Sequence, residues 1–178
     1  VVYFVAHFIL NSGTKMKKKP HNFDACIITM SRFQNDARSL NLARILAKNN
    51  KKVCVIGIGS DDDEQYFRKE NITFYHISLP QKRRTLIKWV LFLLKIIKLR
   101  NKASAAIYLS SDLYSLPVGI RFKHKYKSKL IYDSRDIYSA LGPLYQHPFK
   151  QIVIANIEKL LVKEVDEMII LVQPESFN

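Results

Sequence analysis

Asp133 and Asp136, with Arg135 between them, come directly after a short apolar run at residues 130–132. Carboxylates can act as general acids and bases, and an arginine binds phosphate or carboxylate groups through two parallel hydrogen bonds. The apolar run is typical of a buried parallel strand, whose sheet is covered by helices on both faces. Ligands of open α/β sheets bind outside the carboxyl ends of the strands, so these residues are candidates for a functional site. The sequence leaves open the alternative that the two carboxylates only begin a helix or a loop.

A second segment has the same form, because the apolar residues 105–109 are followed by the polar stretch 110–114, which contains Asp112. Two successive strands therefore end in polar side chains. We expect these strands to run side by side and to present Asp112, Asp133 and Arg135 to a shared open groove.

The elements that must position these residues alternate regularly between strand and helix. The apolar runs predict six strands, at residues 24–29, 52–58, 72–77, 105–109, 129–132 and 167–172. Asp36 opens the first helical pattern, where a negative charge favours the start of a helix. Strands that alternate with helices indicate an α/β domain with a doubly wound, mostly parallel six-stranded sheet, which is Rossmann-like.

The length of 178 residues favours one compact domain with a buried core. Residues 1–10 form an apolar run that is too short for a membrane-spanning helix, and Met16 resembles a natural start. We interpret residues 1–15 as an upstream, non-native extension and residues 16–178 as the domain. The rival interpretation is that residues 1–15 are the tail of a truncated membrane segment.

Charge is the unusual feature of the composition, since 29 Lys and Arg against 15 Asp and Glu give a formal net charge of +14. Such a chain attracts polyanions, namely nucleic acid, anionic lipid or nucleotide phosphates. The basic residues show no interleaved aromatic residues of the kind found in readers of single-stranded nucleic acid, so nucleic acid is the less favoured partner. A non-catalytic basic α/β module for nucleic acid or anionic surfaces is the alternative function.

Several common sites are excluded or weakly supported by the motifs. Cys26 and Cys54 lie in strand-like runs without zinc spacing, so we predict buried small hydrophobes. The acidic run 61–64 favours a helix start over a metal site, and His76 is expected to pack within a strand. A lone Gly-x-Gly at residues 57–59 is weak evidence for a dinucleotide site. We therefore predict no metal and no cofactor.

The segment 82–102 is basic and long, and its apolar residues extend around more than one helical face. One interpretation is a buried helix whose core-facing stripe is Leu86, Trp89, Val90, Leu93, Leu94 and Ile97, with the lysines reaching out to solvent. The other is a helix that lies on an anionic membrane surface, which basic and apolar residues together favour. The sequence slightly favours the first interpretation.

From about Asp24 to its end, the chain resembles the N-terminal domain of family 4 glycosyltransferases with the GT-B fold. Four segments carry the resemblance in the right order, at residues 35–57, 111–117, 132–136 and 157–170. They are similar to the family's "DxR" opening, "HDLxxLP", "YDSHE" and "xEKxLxxxADxVI" patterns. This chain differs from the patterns at Ser111, Arg135 and Asp136, where the family has histidine, histidine and glutamate.

The resemblance implies one half of a GT-B architecture. Family members transfer a sugar from a nucleotide-diphosphate donor with retention, usually without a metal, and the N-terminal domain mainly holds the acceptor. The chain would be incomplete alone and would need a C-terminal donor domain, in cis or as a separate chain. The acceptor would be a lipid-linked or polysaccharide molecule of the bacterial envelope. The expected location is the cytoplasm, at the inner face of the plasma membrane, with segment 82–102 on the anionic surface.

The resemblance also implies the residues of the site. It gives Asp133 and Asp136 the catalytic roles. Eight further residues would face the acceptor or donor: Ser31, Arg32, Asp36, Arg38, Asp112, Tyr114, Ser134 and Arg135.

Overall fold

The computed structural model describes residues 2–11, 21–80, 82, 84–134 and 147–170. The strands are β1 (Phe23–Arg32), β2 (Val53–Ile58), β3 (Ile72–Ile77), β4 (Ala105–Ser110), β5 (Lys129–Ser134) and β6 (Glu167–Ile170). The helices are α1 (Val2–Asn11), α2 (Ala37–Lys48), α3 (Asp61–Lys69), α4 (Thr85–Lys98), α5 (Leu116–Tyr126) and α6 (Pro148–Val162). Short 3-10 turns follow β1 at Phe33–Asn35 and α4 at Leu99–Asn101.

The six strands form one sheet in the order β3-β2-β1-β4-β5-β6, and all five neighbouring pairs are parallel. This is a Rossmann-like topology, and the predicted fold class is confirmed. β4 and β5 are neighbours, as expected from the sequence. The direction of winding reverses between β1 and β4, and ligands of such sheets bind in the crevice at this point.

Helices cover both faces of the sheet because side chains alternate between the faces along each strand. In β1, Ala25 and Ile27 pack on the layer formed by α1, α2 and α3. Cys26 and Ile28 pack on the opposite layer, formed by α4, α5 and α6. The central strands are thus buried on both faces, which explains why they read as continuous apolar runs in the sequence.

Cys26 and Cys54 lie opposite each other on β1 and β2, with their Sγ atoms 3.7 Å apart. Both are free thiols with no exposed surface. Burial raises the pKa of Cys54, so its unreactive protonated form is favoured. The prediction that both cysteines serve as small buried hydrophobes is confirmed.

α1 lies within residues 1–15, which the sequence analysis treats as an extension. Its residues Val5, Ala6 and Ile9 are buried in the same apolar cluster as residues of α2. The helix therefore forms part of one helical layer, and the assignment of residues 1–15 as non-native stays a prediction. Among the described helices, none is both long enough and apolar enough to cross a bilayer.

The predicted core-facing stripe of α4 is only partly confirmed, since Trp89, Leu93 and Ile97 are half-buried and Leu93 packs against the core. Phe92 and Ile96 form its buried face, whereas Leu86, Val90 and Leu94 of the predicted stripe are exposed. Apolar residues surround this helix, so their periodicity does not identify the buried side. Tertiary contacts fix its rotation instead, including a 2.8 Å hydrogen bond from the Trp89 indole Nε1 to the Tyr114 carbonyl.

α5 packs closely on the sheet through Gly119. A Cβ atom at this position would overlap the Oγ atom of Ser110 and would lie 2.8 Å from Cδ1 of Leu130. We expect Gly119→Ala to lower the free energy of unfolding by about 2 kcal/mol, because overpacking forces side chains out of their preferred conformations. Urea titration measures this loss.

Ser110→Ala provides the control for that variant. It removes the Oγ atom that the new methyl group would overlap, so the double variant should recover part of the stability lost by Gly119→Ala alone. An unchanged or increased stability of the single variant would show that the contact between α5 and the sheet is looser than described.

Candidate functional site

The carboxyl ends of β1, β4 and β5 meet at one edge of the sheet, where the winding reverses. Thr29, near the end of β1, links two carboxylates from different parts of the chain. Its hydroxyl lies 3.4 Å from the Asp36 Oδ2 atom and 3.2 Å from the Asp112 Oδ2 atom. The structure therefore brings Asp36 and Asp112 together, although 75 residues separate them in the sequence.

Asp36, which opens the first helical pattern of the sequence, is the N-cap of α2. Its Oδ1 atom accepts a 3.1 Å hydrogen bond from the backbone N–H of Ser39, one of the amides that a helix leaves unpaired at its start. The residue is buried. This cap fixes the first turn of α2, which carries Arg38.

Asp112 connects the ends of two strands to the turn before α5. Its Oδ2 atom accepts a 2.7 Å hydrogen bond from the Met30 N–H, and its Oδ1 atom accepts one of the same length from the Ser115 N–H. Burial raises the pKa of this carboxyl, and the hydrogen bonds from Met30, Ser115 and Thr29 offset part of that effect. Asp112 therefore organises the loop geometry of the site.

Asp133, at the end of β5, forms an ion pair with Arg38 from the first turn of α2. The Nη2 and Oδ1 atoms are 2.6 Å apart, and the side chains are 17% and 3% exposed, respectively. The carboxylate is thus buried, and the terminal guanidinium nitrogens Nη1 and Nη2 are buried with it. The pair joins α2 to β5 across the edge of the sheet and holds a positive charge there.

The expectation that Asp112 and Asp133 face an open groove is wrong, because both carboxylates are buried. Asp112 and Asp133 lie at the same edge, yet they are only 7% and 2% exposed. The Asp112 carboxylate accepts hydrogen bonds from the backbone N–H groups of Met30 and Ser115, and the Asp133 carboxylate pairs with Arg38 of α2. These partners stabilise the two carboxylates in buried positions. Arg135 and Asp136, the other members of the predicted acidic stretch, lie outside the described residues.

The accessible part of the edge consists of other predicted residues. Ser31 and Arg32 are exposed at the end of β1, and Tyr114 and Ser134 are half-buried after β4 and at the end of β5. The Ser31 N–H donates a 3.2 Å hydrogen bond to Thr29 Oγ1, which ties this exposed loop to the buried network. A ligand at the edge would meet hydroxyl groups and the exposed positive charge of Arg32.

Small hydroxyl residues complete the network, and the sequence analysis did not select them. Ser39 of α2 and Ser111 after β4 lie within hydrogen-bond distance, with their Oγ atoms 2.9 Å apart and both residues buried. The Thr29 hydroxyl connects the two carboxylates described above, and the Ser115 hydroxyl donates a 2.9 Å hydrogen bond to the backbone carbonyl of Asp112. The available signal was their position, because each lies at a strand end or in the first turn of a helix.

Asp61, Glu64 and His76 form a group of possible metal ligands whose donor atoms lie within 4.8 Å of one another. His76 Nε2 is 3.6 Å from Asp61 Oδ1, and its Nδ1 is 3.6 Å from Glu64 Oε2. These carboxylates occupy the first turn of α3, where Ser60 and Asp63 form a capping box. The arrangement matches the helix-start role expected from the sequence, and the prediction of no metal stays a prediction.

The chain is similar in structure to two solved proteins, although no match was found by sequence family. No protein-family model and no curated protein matches the chain. The crystal structure of Anabaena Alr3699/HepE in complex with UDP matches 80% of this chain and 35% of that one, with 12% identity and a TM-score of 0.51. Acinetobacter baumannii MurG matches 86% of this chain and 44% of that one, with 9% identity and a TM-score of 0.49.

The chain spans about a third of the length of the HepE structure that it matches. At this level of identity the likeness concerns the fold alone. The strand order, the helices on both faces and the match to HepE together show a Rossmann-like α/β domain with an all-parallel six-stranded sheet.

Proposed function

We propose that the chain is the acceptor-side domain of a retaining family 4 glycosyltransferase with the GT-B fold. It would act on a nucleotide-diphosphate sugar and on a lipid-linked or polysaccharide acceptor of the cell envelope. The observation that carries this proposal is the convergence of Arg38, Asp112 and Asp133 at the edge where the winding of the sheet reverses. The similarity in fold between this chain and HepE, which was crystallised with UDP, supports a nucleotide sugar as the donor.

Positive charge at this edge suits the diphosphate of the donor. Arg32 is exposed, and the partly exposed Arg38 is held by the buried Asp133. Charge-assisted hydrogen bonds from arginine to phosphate are strong and directional. In this proposal Asp133 acts by fixing the Arg38 guanidinium, which refines the catalytic role that the resemblance implies for it.

The acceptor would lie against the accessible hydroxyl groups of the edge. Ser31, Tyr114 and Ser134 can position a sugar hydroxyl by hydrogen bonding, and Asp136 remains the proposed group for orienting or deprotonating it. The buried Asp36 and Asp112 support these loops from beneath. The proposal includes a donor domain, either in cis or as a separate chain, and a cytoplasmic location at the inner face of the plasma membrane.

The net charge of +14 also favours the alternative function, a non-catalytic basic module for nucleic acid or other polyanions. The buried Arg38–Asp133 pair and the capped α2 favour the transferase instead. A module that binds polyanions by charge alone has no need of a buried polar network beneath its surface.

Arg32 gives the sharpest test of the transferase proposal. The chain is joined to its donor domain and incubated with radiolabelled UDP-, GDP- and ADP-sugars and with membranes from the source cell. We expect label to enter the acceptor fraction, and we expect Arg32→Ala to reduce kcat/KM about tenfold, as for loss of one charged hydrogen bond to phosphate. Scintillation counting of the extracted acceptor measures the transfer.

Arg68→Ala is the matched control. Arg68 is also an exposed arginine, but it lies near the end of α3, at the opposite edge of the sheet. Its substitution should leave transfer unchanged. Absence of transfer from every nucleotide sugar by the folded two-domain protein would contradict the proposal, and so would equal effects of the two substitutions.

A further inference from the structure

The outward side of α4 is apolar, the reverse of what a solvent-facing helix normally shows. Leu86, Ile87, Val90 and Leu94 are 65%, 42%, 45% and 55% exposed, respectively. They lie away from Phe92 and Ile96, the residues that bury the helix against the sheet. We call these four exposed residues the α4 apolar face. A contiguous exposed apolar surface of this kind is typical of a docking site.

The charge around the α4 apolar face has a single sign. Residues 71–111 contain no Asp or Glu. They contain the bases Lys82, Arg83, Arg84, Lys88, Lys95, Lys98, Arg100 and Lys102. Basic residues near an apolar helical face attract anionic lipid headgroups, and the apolar side chains then enter the boundary between headgroups and acyl chains.

The dimensions of α4 favour a helix that lies on a bilayer. Its 14 residues extend over about 21 Å, which is shorter than the apolar core of a bilayer. Lysines also interrupt its apolar sequence at residues 88, 95 and 98. A helix with these properties matches the interfacial class of membrane helices.

The exposed apolar residues of α6 serve as a contrast. Ile152 and Leu160 are 60% and 63% exposed, yet residues 148–167 contain bases and acids in similar number. Both helices carry exposed apolar residues on the same helical layer. The sign of the neighbouring charges is what distinguishes α4 from α6. An anionic surface therefore matches the charge around α4 and not the charge around α6.

α4 is also bonded to the candidate site. The Trp89 indole donates its 2.8 Å hydrogen bond to the carbonyl of Tyr114, which lies in the turn between Asp112 and Ser115. A surface that binds the α4 apolar face would therefore lie close to the loop that follows β4. An acceptor carried by that surface would need to travel only a short way to the edge of the sheet.

We propose that the α4 apolar face docks on an anionic bilayer and holds the candidate site near a membrane-embedded, lipid-linked acceptor. The second half of this inference, the nature of the acceptor, rests on the proposed transferase function. The docking itself follows from α4 alone. It requires that binding depend both on anionic lipid and on the exposed apolar side chains.

Vesicle co-sedimentation tests the docking without any sugar transfer. The full chain is mixed with vesicles of phosphatidylcholine alone or with one third phosphatidylglycerol. We expect binding only to the anionic vesicles, with weaker binding at higher salt. Leu86→Ser together with Leu94→Ser should weaken binding at least about tenfold, because two inserted side chains are lost.

Ile152→Ser together with Leu160→Ser is the matched control, as it removes two exposed apolar side chains of similar size from α6. This variant should bind as the unmodified chain does, and circular dichroism should show both variants folded. Equal binding to the two kinds of vesicle, or equal loss in both variants, would overturn the inference. Retention of duplex DNA on filters at a salt concentration that abolishes vesicle binding would also overturn it and would favour nucleic acid.

Vesicle binding and sugar transfer, measured on the same variants, test the membrane docking and the transferase function separately. If the α4 variant loses vesicle binding but still transfers sugar to a short water-soluble acceptor, docking and transferase activity are both supported. If vesicle binding persists in the α4 variant while transfer occurs, only the docking inference is overturned. If vesicles bind as expected and no transfer is found, only the transferase function is overturned.

Discussion

Arg38→Leu is expected to lower the free energy of unfolding by about 3 kcal/mol, the larger part of which reflects the charge left on a buried Asp133. The Asp133 side chain is only 3% exposed, and the substitution removes the guanidinium 2.6 Å from its carboxylate. Removing one partner of a buried pair costs more than the pair itself contributes, because the remaining charge was already taken out of water. Urea denaturation followed by circular dichroism measures the change.

Two comparisons make this prediction specific. Asp133→Asn should cost less than Arg38→Leu, because asparagine keeps a carbonyl oxygen that can accept a hydrogen bond from the guanidinium. Arg44→Leu breaks the Arg44–Glu70 pair, which has a similar 2.7 Å contact but side chains that are 34% and 27% exposed. That change should cost less than about 1 kcal/mol. Equal losses for Arg38→Leu and Arg44→Leu would show that burial of the Asp133 pair is not what matters.

The Arg38 variant also bears on the proposed function. Arg38→Lys keeps a positive charge but loses the planar, two-pronged geometry of the guanidinium. Its stability should lie between those of the unmodified protein and Arg38→Leu. If the two-domain enzyme transfers sugar, the lysine variant should show reduced kcat/KM even under conditions in which it is fully folded. An unchanged kcat/KM would leave Arg38 with a structural role only.

Asp112→Ala is expected to lower the free energy of unfolding by about 3 kcal/mol at neutral pH. The substitution leaves the N–H groups of Met30 and Ser115 without their carboxylate acceptor, and it leaves the Thr29 hydroxyl with Asp36 as its acceptor. Each buried donor left unsatisfied costs on the order of 1 kcal/mol or more. Denaturant titration again gives the value. Asp62→Ala, an exposed carboxylate in the first turn of α3, is the control and should have a small effect.

The raised pKa of Asp112 should also make the stability of the protein depend on pH. Burial raises the pKa of Asp112 in the folded protein above its value in the unfolded chain. Between these two values the folded state binds more protons than the unfolded state, so this group adds stability as pH falls and loses it as pH rises. The stability deficit of Asp112→Asn relative to the unmodified protein should therefore be larger at acidic than at neutral pH. A deficit that shrinks towards low pH would contradict this sign.

The strands and their order of appearance were predictable because each strand is a local pattern. The apolar runs that became β1, β2, β4 and β5 need only be recognised within a few residues, and buried parallel strands require such runs. The position of Asp36 at the start of α2 was also predictable, since a negative charge favours the first turn of a helix. These features depend on spacing along the chain.

The partners of the site residues were not predictable in the same way. Arg38 and Asp133 are 95 positions apart in the sequence, and Ser39 and Ser111 are 72 apart. Nothing in the local pattern of either member indicates the other. Half of the predicted core-facing stripe of α4 was misassigned for a related reason, because a helix that is apolar all round offers several equivalent faces until its neighbours select one.

The sequence by itself determined the class of this fold and the strand ends at which polar groups would collect, since both follow from short apolar runs, the polar residues that end them and the helical patterns between them. Only the tertiary structure decided that Asp112 and Asp133 turn inward to amides and an arginine, and that α4 turns apolar residues outward. The physical reason is that burial and partner choice depend on which distant segments pack together, and packing minimises the total cost of unpaired charges and exposed apolar surface across the whole domain.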